Sequence, residues 1–222
     1  MYIDSNHELR DLSCDAFDTV PARDPAGASL SKRVFDTTCI LLMLPVVGLI
    51  LALAAAAIKL TSRGPVLFVQ HRYGAGRVPF KVFKLRTMRV LEDGDAFRQA
   101  CKGDARITPV GRFLRKASID ELPQVFNVLR GDMSLVGPRP HATRMDDEFA
   151  TLIPGYNRRF EVVPGITGLA QVRGQRGVTD TLDKMQARIA SDIEYVETHG
   201  FWRDLGILLR TLLVVLGQRN AG

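Results

Sequence analysis

Apolar residues fall into one long block and several short periodic runs, and each shape predicts a different element. From Thr37 to Ile58 there are 22 residues without a charge, enough for a helix to span a bilayer, which needs about 20. Lys32 and Arg33 precede the block and Lys59 and Arg63 follow it, so positive charge marks neither end as the inside one. Pro45 sits near the middle, where it removes a helix hydrogen bond and bends the axis. These features favour a Pro-bent helix over residues 31–60 that enters one leaflet and returns. Thr37, Thr38 and Cys39 can satisfy backbone groups freed at the break. A straight span and a buried core helix are the alternatives. Cleavage after a signal sequence near Ala52-Leu53-Ala54 is opposed by a preceding stretch too long and too acidic for that role.

Beyond the block the pattern turns globular. Residues 65–88 read as a β-hairpin, with Tyr73-Gly74-Ala75-Gly76 supplying the turn between two strand-like runs. Thr108 and Pro109 make a helix start, Thr as N-cap and Pro at the first position. Ser118 and Glu121 match a capping box ahead of Leu122, Val125, Phe126 and Leu129, which recur at helical spacing until Gly131. From Asp180 to His199 the stripe Leu182, Met185, Ile189, Ile193 and Val196 predicts a further helix closed by Gly200. Residues 203–216 form an apolar helix too short to span. Trp202, Arg203 and Arg210 suit a helix lying on a membrane surface, with an ordinary core helix as the alternative. The fold class is α/β: a mostly helical chain with a small β-hairpin, in three parts. These are a flexible acidic tail (1–30), the membrane helix (31–60), and a domain (61–222) with surface-lying amphipathic helices, the part that would carry any catalysis.

Charge sharpens this division. The chain carries +6 overall. Residues 1–30 hold six acids against Arg10 and Arg23, a net of −4, which leaves +10 on residues 31–222. A body so basic suits an anionic partner: nucleic acid, phospholipid headgroup or nucleotide phosphate. From Lys59 to Arg89 there are eight Lys/Arg and no acid, a headgroup-facing pattern. Within it Lys84 and Arg86, two apart on a strand, share a face and can hold one polyanion. Cys14, Cys39 and Cys101 show neither paired nor metal-like spacing, which fits a reducing compartment.

The candidate chemistry lies at Asp120-Glu121 and at Gly137-Pro138-Arg139-Pro140. Acids in a first helical turn are ordinary caps. Here, however, Arg115 lies five residues before Asp120, and Arg139 is held between two prolines that restrict its backbone. A rigid guanidinium matches two phosphate oxygens. Carboxylates beside such cations suggest a metal-bridged phosphate or a carboxylate nucleophile that attacks phosphorus.

Five stretches in order carry a specific resemblance: Lys32-Arg33-Val34-Phe35-Asp36; Lys84-Leu85-Arg86-Thr87-Met88; Ser118 through Gln124; Gly131 through Pro140; and Pro164 through Val172. Across nearly all of residues 31–216 the chain resembles the bacterial sugar transferase family, the monotopic polyprenyl-phosphate phosphoglycosyl transferases. The resemblance implies a re-entrant helix bent at Pro45 and a covalent, ping-pong mechanism at the cytoplasmic face of a bacterial inner membrane. Asp120 would attack the β-phosphorus of a UDP-sugar and release UMP, and polyprenyl phosphate would then take the sugar phosphate. Glu121 would act as base or orient Asp120 and its metal. Mg²⁺, with Asp120 as its protein ligand, would neutralise the diphosphate. Arg115 and Arg139 fall at phosphate-binding positions, and Lys84, Arg86, Arg112 and Gln171 complete the candidate substrate-binding set. Membrane lipids are the further implied partners, nucleic acid is not one, and a homodimer is left open.

The chain departs from the family pattern in four places. Leu44 replaces a Ser before Pro45, Leu169 stands where Trp is usual, and Val163 occupies a position that is often basic. Residues 1–30 are too short for the membrane helices and regulatory module of larger relatives, so a core-only form is expected. Pro140-His141-Ala142 and residues 177–182 look more like the glucose or galactose members than the acetamido-sugar ones. The rival function is a membrane-tethered polyanion binder without catalysis, whose binding would be strongly salt-dependent and indifferent to Asp120 and Glu121.

Overall fold

The computed structural model describes residues 29–89, 104–177 and 181–217. The acidic tail up to residue 28, Cys14, Cys101 and residues 178–180 lie outside the described residues. Helix α1 (Leu30–Thr61) starts at Ser29, whose hydroxyl accepts from the Lys32 N–H, and continues through Pro45 as one 32-residue element. That is about 48 Å of helix at 1.5 Å per residue. Asp36, Ile40, Val47, Ala54 and Ile58 are buried, and their intervals of four and seven keep them on one side. The other side exposes Leu42, Val46, Leu49, Leu53 and Leu60 to solvent.

The hairpin forms where expected. Strands β1 (Leu67–Tyr73) and β2 (Pro79–Leu85) pair antiparallel, from Leu67 opposite Leu85 to Tyr73 opposite Pro79. Helix α2 (Pro109–Lys116) has the predicted cap: the Thr108 hydroxyl accepts from the Gly111 N–H at 2.9 Å. Gly111 also lets α2 press onto the chain leaving β2, since a Cβ there would lie 2.0 Å from the Thr87 carbonyl oxygen.

The predicted capping box does not form. Ser118 adopts a left-handed backbone (φ 55°) and makes no capping hydrogen bond. An N-cap needs an extended backbone to aim its hydroxyl into the turn, and this conformation cannot supply it. Residues Ile119–Glu121 form a single 3-10 turn instead, and α3 (Gln124–Arg130) begins only after Pro123. Its end at Gly131 (φ 95°) is as predicted. Asn127 of α3 is fully buried and bonds both ways to the hairpin, accepting from the Phe83 N–H (3.0 Å) and donating to the Lys81 carbonyl (2.6 Å). This lock places α3 and the turn before it against β2.

Two short strands, β3 (Ser134–Val136) and β4 (Gly165–Thr167), pair in parallel. Three residues each are too few to show a period, so they escape a pattern reading. Between them run α4 (Thr143–Leu152) and a 3-10 helix over Tyr156–Glu161, and α5 (Leu169–Val172) follows β4. Helices α6 (Leu182–Thr198) and α7 (Phe201–Gly217) complete the described chain. Helix α7 buries Asp204 and Ile207 while exposing Phe201, Trp202, Leu209, Leu212 and Leu213.

Both ends of α1 are fastened to this one body. At the start Lys32 pairs with Asp204, Arg33 donates to the Val128 carbonyl (2.7 Å), and Ser134 donates to the Asp36 carboxylate (2.6 Å). At the finish Arg86 donates to the carbonyls of Ser62 and Arg63. Between them Ile40 and Val47 pack with Val82, Val125, Val128 and Met133, and Ala54 and Ile58 with Leu85 and Leu114.

Candidate active site

The site forms where the 3-10 turn meets β2 and the loop after β3. Glu121 accepts from both prongs of the Arg139 guanidinium, Nη1 reaching Oε2 at 2.8 Å and Nη2 closing on Oε1, while Lys84 Nζ reaches Oε1 at 3.0 Å. The cluster is reachable from solvent: 20% of the Glu121 side chain, 21% of Lys84 and 30% of Arg139 stay exposed. Burial by itself would raise the Glu121 carboxyl, but Arg139 and Lys84 outweigh it and hold the group far below the usual carboxylate range. Burial draws the Lys84 ammonium down, with Glu121 opposing.

Asp120 behaves in the opposite way. Three residues per 3-10 turn set neighbouring side chains about 120° apart, so Asp120 does not share its neighbour's clamp. No side chain among the described residues hydrogen-bonds to its carboxylate. Its pKa is pushed up to about 6, first by burial and then by the Glu121 charge, with Lys84, Arg115 and Arg139 offsetting only part. Two adjacent acids are thereby driven apart, one locked as an anion and one poised near neutrality.

The loop carrying Arg139 is rigid for backbone reasons. Gly137 N–H donates to the Thr167 carbonyl and Gly165 N–H to the Pro138 carbonyl, both at 2.9 Å. The two backbones touch so closely that a Cβ on Gly165 would lie 2.0 Å from Gly137 N, and one on Gly168 would lie 2.2 Å from Gly137 O. Only glycines at these positions allow the approach.

The predicted site residues divide. Asp120, Glu121, Lys84 and Arg139 come together, and Arg115, at the exposed end of α2, lies close enough to act on Asp120. Arg112 is exposed on α2. Gln171 is buried and donates to the Ile166 carbonyl (2.8 Å), so it braces the β4 turn. Arg86 is a correction: its two-residue spacing from Lys84 does not bring it to the carboxylates. Its guanidinium is buried and spent on the carbonyls of Ser62 and Arg63, just past the end of α1.

Two further cations escape the sequence pattern. Burial and the Arg139 charge bring the Arg72 guanidinium down to about 10, and the same two causes lower Arg176. Glu121 opposes the shift in both, so their charges act on the same cluster. Hairpin register carries a signal for Arg72: it lies opposite Phe80, an even number of residues from Lys84, and so on the Lys84 face. Lys84, Arg115 and Arg139 thus act on Asp120, and Arg72 and Arg176 act on Glu121 beside it. Such an excess suits a polyanion that approaches a carboxylate.

The described residues contain no cluster of three or more His, Cys, Asp or Glu side chains able to hold a metal ion. Mg²⁺ usually needs only one or two carboxylates, with substrate phosphates and water completing its shell. The unpaired Asp120 carboxylate fits that donor set, whereas Glu121 has both oxygens occupied.

The family model for bacterial sugar transferases matches residues 27–218. A Caulobacter vibrioides protein named UDP-glucose:undecaprenyl-phosphate glucose-1-phosphate transferase is 56% identical over 195 residues, 88% of this chain and 73% of that protein. A Klebsiella pneumoniae protein of the same name is 51% identical over 181 residues, and the match spans 82% of this chain but 39% of that longer protein. The exopolysaccharide production protein PSS of Rhizobium leguminosarum bv. phaseoli is 46% identical over 186 residues, 82% of this chain and 93% of that protein. The chain belongs to the bacterial sugar transferase family.

Proposed function

We propose that this protein is a phosphoglycosyl transferase that moves glucose 1-phosphate, or galactose 1-phosphate, from a UDP-sugar to undecaprenyl phosphate. This would be the first membrane step of polysaccharide assembly, carried out at the cytoplasmic face of a bacterial inner membrane. The observation that carries the reading is the half-buried Asp120 carboxylate, which meets the charges of Lys84, Arg115 and Arg139 beside the anionic Glu121. The names of the relatives supply the sugar nucleotide and the lipid.

In this reading an Asp120 oxygen attacks the β-phosphorus and the bridging P–O bond breaks. UMP leaves with the electron pair, and the sugar phosphate stays on the carboxylate. An oxygen of the lipid phosphate then attacks the same phosphorus and returns Asp120 as a free carboxylate. Neither step moves a proton, since both nucleophiles and both leaving groups are anions. A base is therefore unnecessary, which agrees with Glu121 being held ionised and fully paired. Its role is to fix Arg139 and Lys84, which with Arg72, Arg115 and Arg176 reduce repulsion between carboxylate and diphosphate. Mg²⁺ would be held by Asp120 with the substrate phosphates, and when bound it draws charge from the diphosphate.

Helix α1 supports the proposed membrane arrangement. A helix crossing the bilayer would separate its ends, yet both ends of α1 bind the same polar body. Its outward apolar face, with Phe201, Trp202, Leu209, Leu212 and Leu213 of α7, suits one leaflet entered and left from the same side. Bending at Pro45 is part of this proposal.

Purified protein with UDP-glucose, Mg²⁺ and undecaprenyl phosphate should release UMP and form a lipid-linked diphosphate sugar. Glycolipid with UDP as the by-product would point to direct glycosyl transfer and overturn the reading.

A further inference from the structure

Beneath Arg139 lies a buried polar cluster that the proposed chemistry does not use. Arg159, from the 3-10 helix over Tyr156–Glu161, is 3% exposed, and its guanidinium donates in several directions at once. Its Nη1 reaches the Asp146 carboxylate of α4 (2.8 Å), the Tyr156 hydroxyl (3.2 Å) and His141 Nδ1 (2.8 Å). Its Nη2 reaches the Asp192 carboxylate of α6 (3.0 Å) and the backbone carbonyl of Arg139. Burial and the Arg159 charge drop the His141 imidazole to about 3, so it is neutral and accepts from Arg159.

The connection to Arg139 is specific. Pro138 and Pro140 have no N–H, so the backbone on either side of Arg139 can be tied down only through carbonyls. The Pro138 carbonyl is taken by Gly165 N–H, and the Arg139 carbonyl by Arg159. One guanidinium thus fixes the backbone of the residue whose own guanidinium clamps Glu121. Segments of α4, the 3-10 helix, the Arg139 loop and α6 all converge on it. From the same helix α6, Arg188 donates to the carbonyls of Gln175 (2.9 Å) and Gly177 (2.7 Å), which flank Arg176. A buried charged network of this size is a costly way to gain stability, because apolar packing of equal volume often does as well. Its geometric output is the placement of Arg139.

We infer that Arg159, held by Asp146 and Asp192, is a positioning residue: it sets the Arg139 clamp through its backbone without touching substrate. The inference rests on the proposed phosphosugar transfer. A shift of about 1 Å in a positioning group costs on the order of 10²-fold in rate.

The test is a double-mutant cycle on single-turnover UMP release from UDP-glucose, with thermal unfolding measured in parallel. Arg159→Lys keeps the charge and cannot make both the carboxylate and carbonyl contacts. It should fold, and lower kcat/KM by about 10²-fold in the wild-type background. In an Arg139→Ala background the same change should cost less than about threefold, because the group it positions is gone. A full-size loss in that background would overturn the inference. Should Arg159→Lys not fold, Asp192→Asn, which removes one charge behind Arg159, carries the same cycle with the same two outcomes. Absence of UMP release by the wild type is a different result: it would overturn the functional reading on which the inference stands.

Discussion

Asp120 and Glu121 are adjacent, carry the same charge and are driven to opposite ends of the carboxylate range. The cause is which of them meets the Arg139 fork. Glu121 meets it and stays ionised; Asp120 is desolvated beside that anion and holds its proton up to about pH 6. In the proposed reaction the attacking form is the anion. With a raised pKa, protons compete for Asp120 at higher pH than for an ordinary aspartate, so kcat/KM for UMP release should fall about tenfold per pH unit below about 6. A profile flat down to about pH 4.5, near the ordinary carboxylate range, would remove Asp120 as the titrating nucleophile. Glu121→Gln keeps the shape but loses the charge that gathers Arg139 and Lys84, and should cost about 10²-fold. The Asp-Glu pair, Arg139 and Lys84 are legible in the sequence because each lies in a long ordered motif. Arg72 and Arg176 are not, because a cation in a basic stretch looks like any other until the fold brings it to Glu121.

Helix stripes and caps are legible for elements long enough to repeat or to carry their own punctuation: α6, the Thr108 cap, the Gly131 stop and the hairpin. The exception is the 3-10 turn, where Ser118 and Glu121 have the spacing of a capping box but tertiary partners claim the glutamate. The left-handed Ser118 is what turns α2 into the Asp120 segment. A β-branched residue is poorly tolerated in that conformation, so Ser118→Val should lower stability by about 1–2 kcal/mol and activity with it. Ser118→Gly, which accepts a left-handed backbone without strain, should keep both, measured by thermal unfolding and UMP release. The parallel pair β3–β4 leaves no trace in the pattern, yet it sets Arg139. Gly165→Ala places a methyl group 2.0 Å from Gly137 N, and this overpacking should cost about 2–3 kcal/mol.

At the scale of the whole molecule, α1 is a structural member as well as the proposed anchor. Its apolar length is plain in the sequence, but its partners are not: Lys32, Arg33 and Asp36 look like flanking charges until Asp204, Val128 and Ser134 are seen to receive them. With both ends on one body, a single-cysteine variant retaining Cys14 should react, in sealed inside-out vesicles, from the side that carries UMP-release activity. Labelling from the opposite side would show a span. In the proposed reaction a soluble nucleotide and a membrane lipid meet at one carboxylate, Asp120. Incubation with UDP-glucose and Mg²⁺ in the absence of lipid acceptor, followed by mass spectrometry of the intact protein and its peptides, tests it most directly. The expected result is one hexose phosphate added to the peptide containing Asp120, absent in Asp120→Asn and discharged by undecaprenyl phosphate. UMP release at the wild-type rate by Asp120→Asn would contradict it.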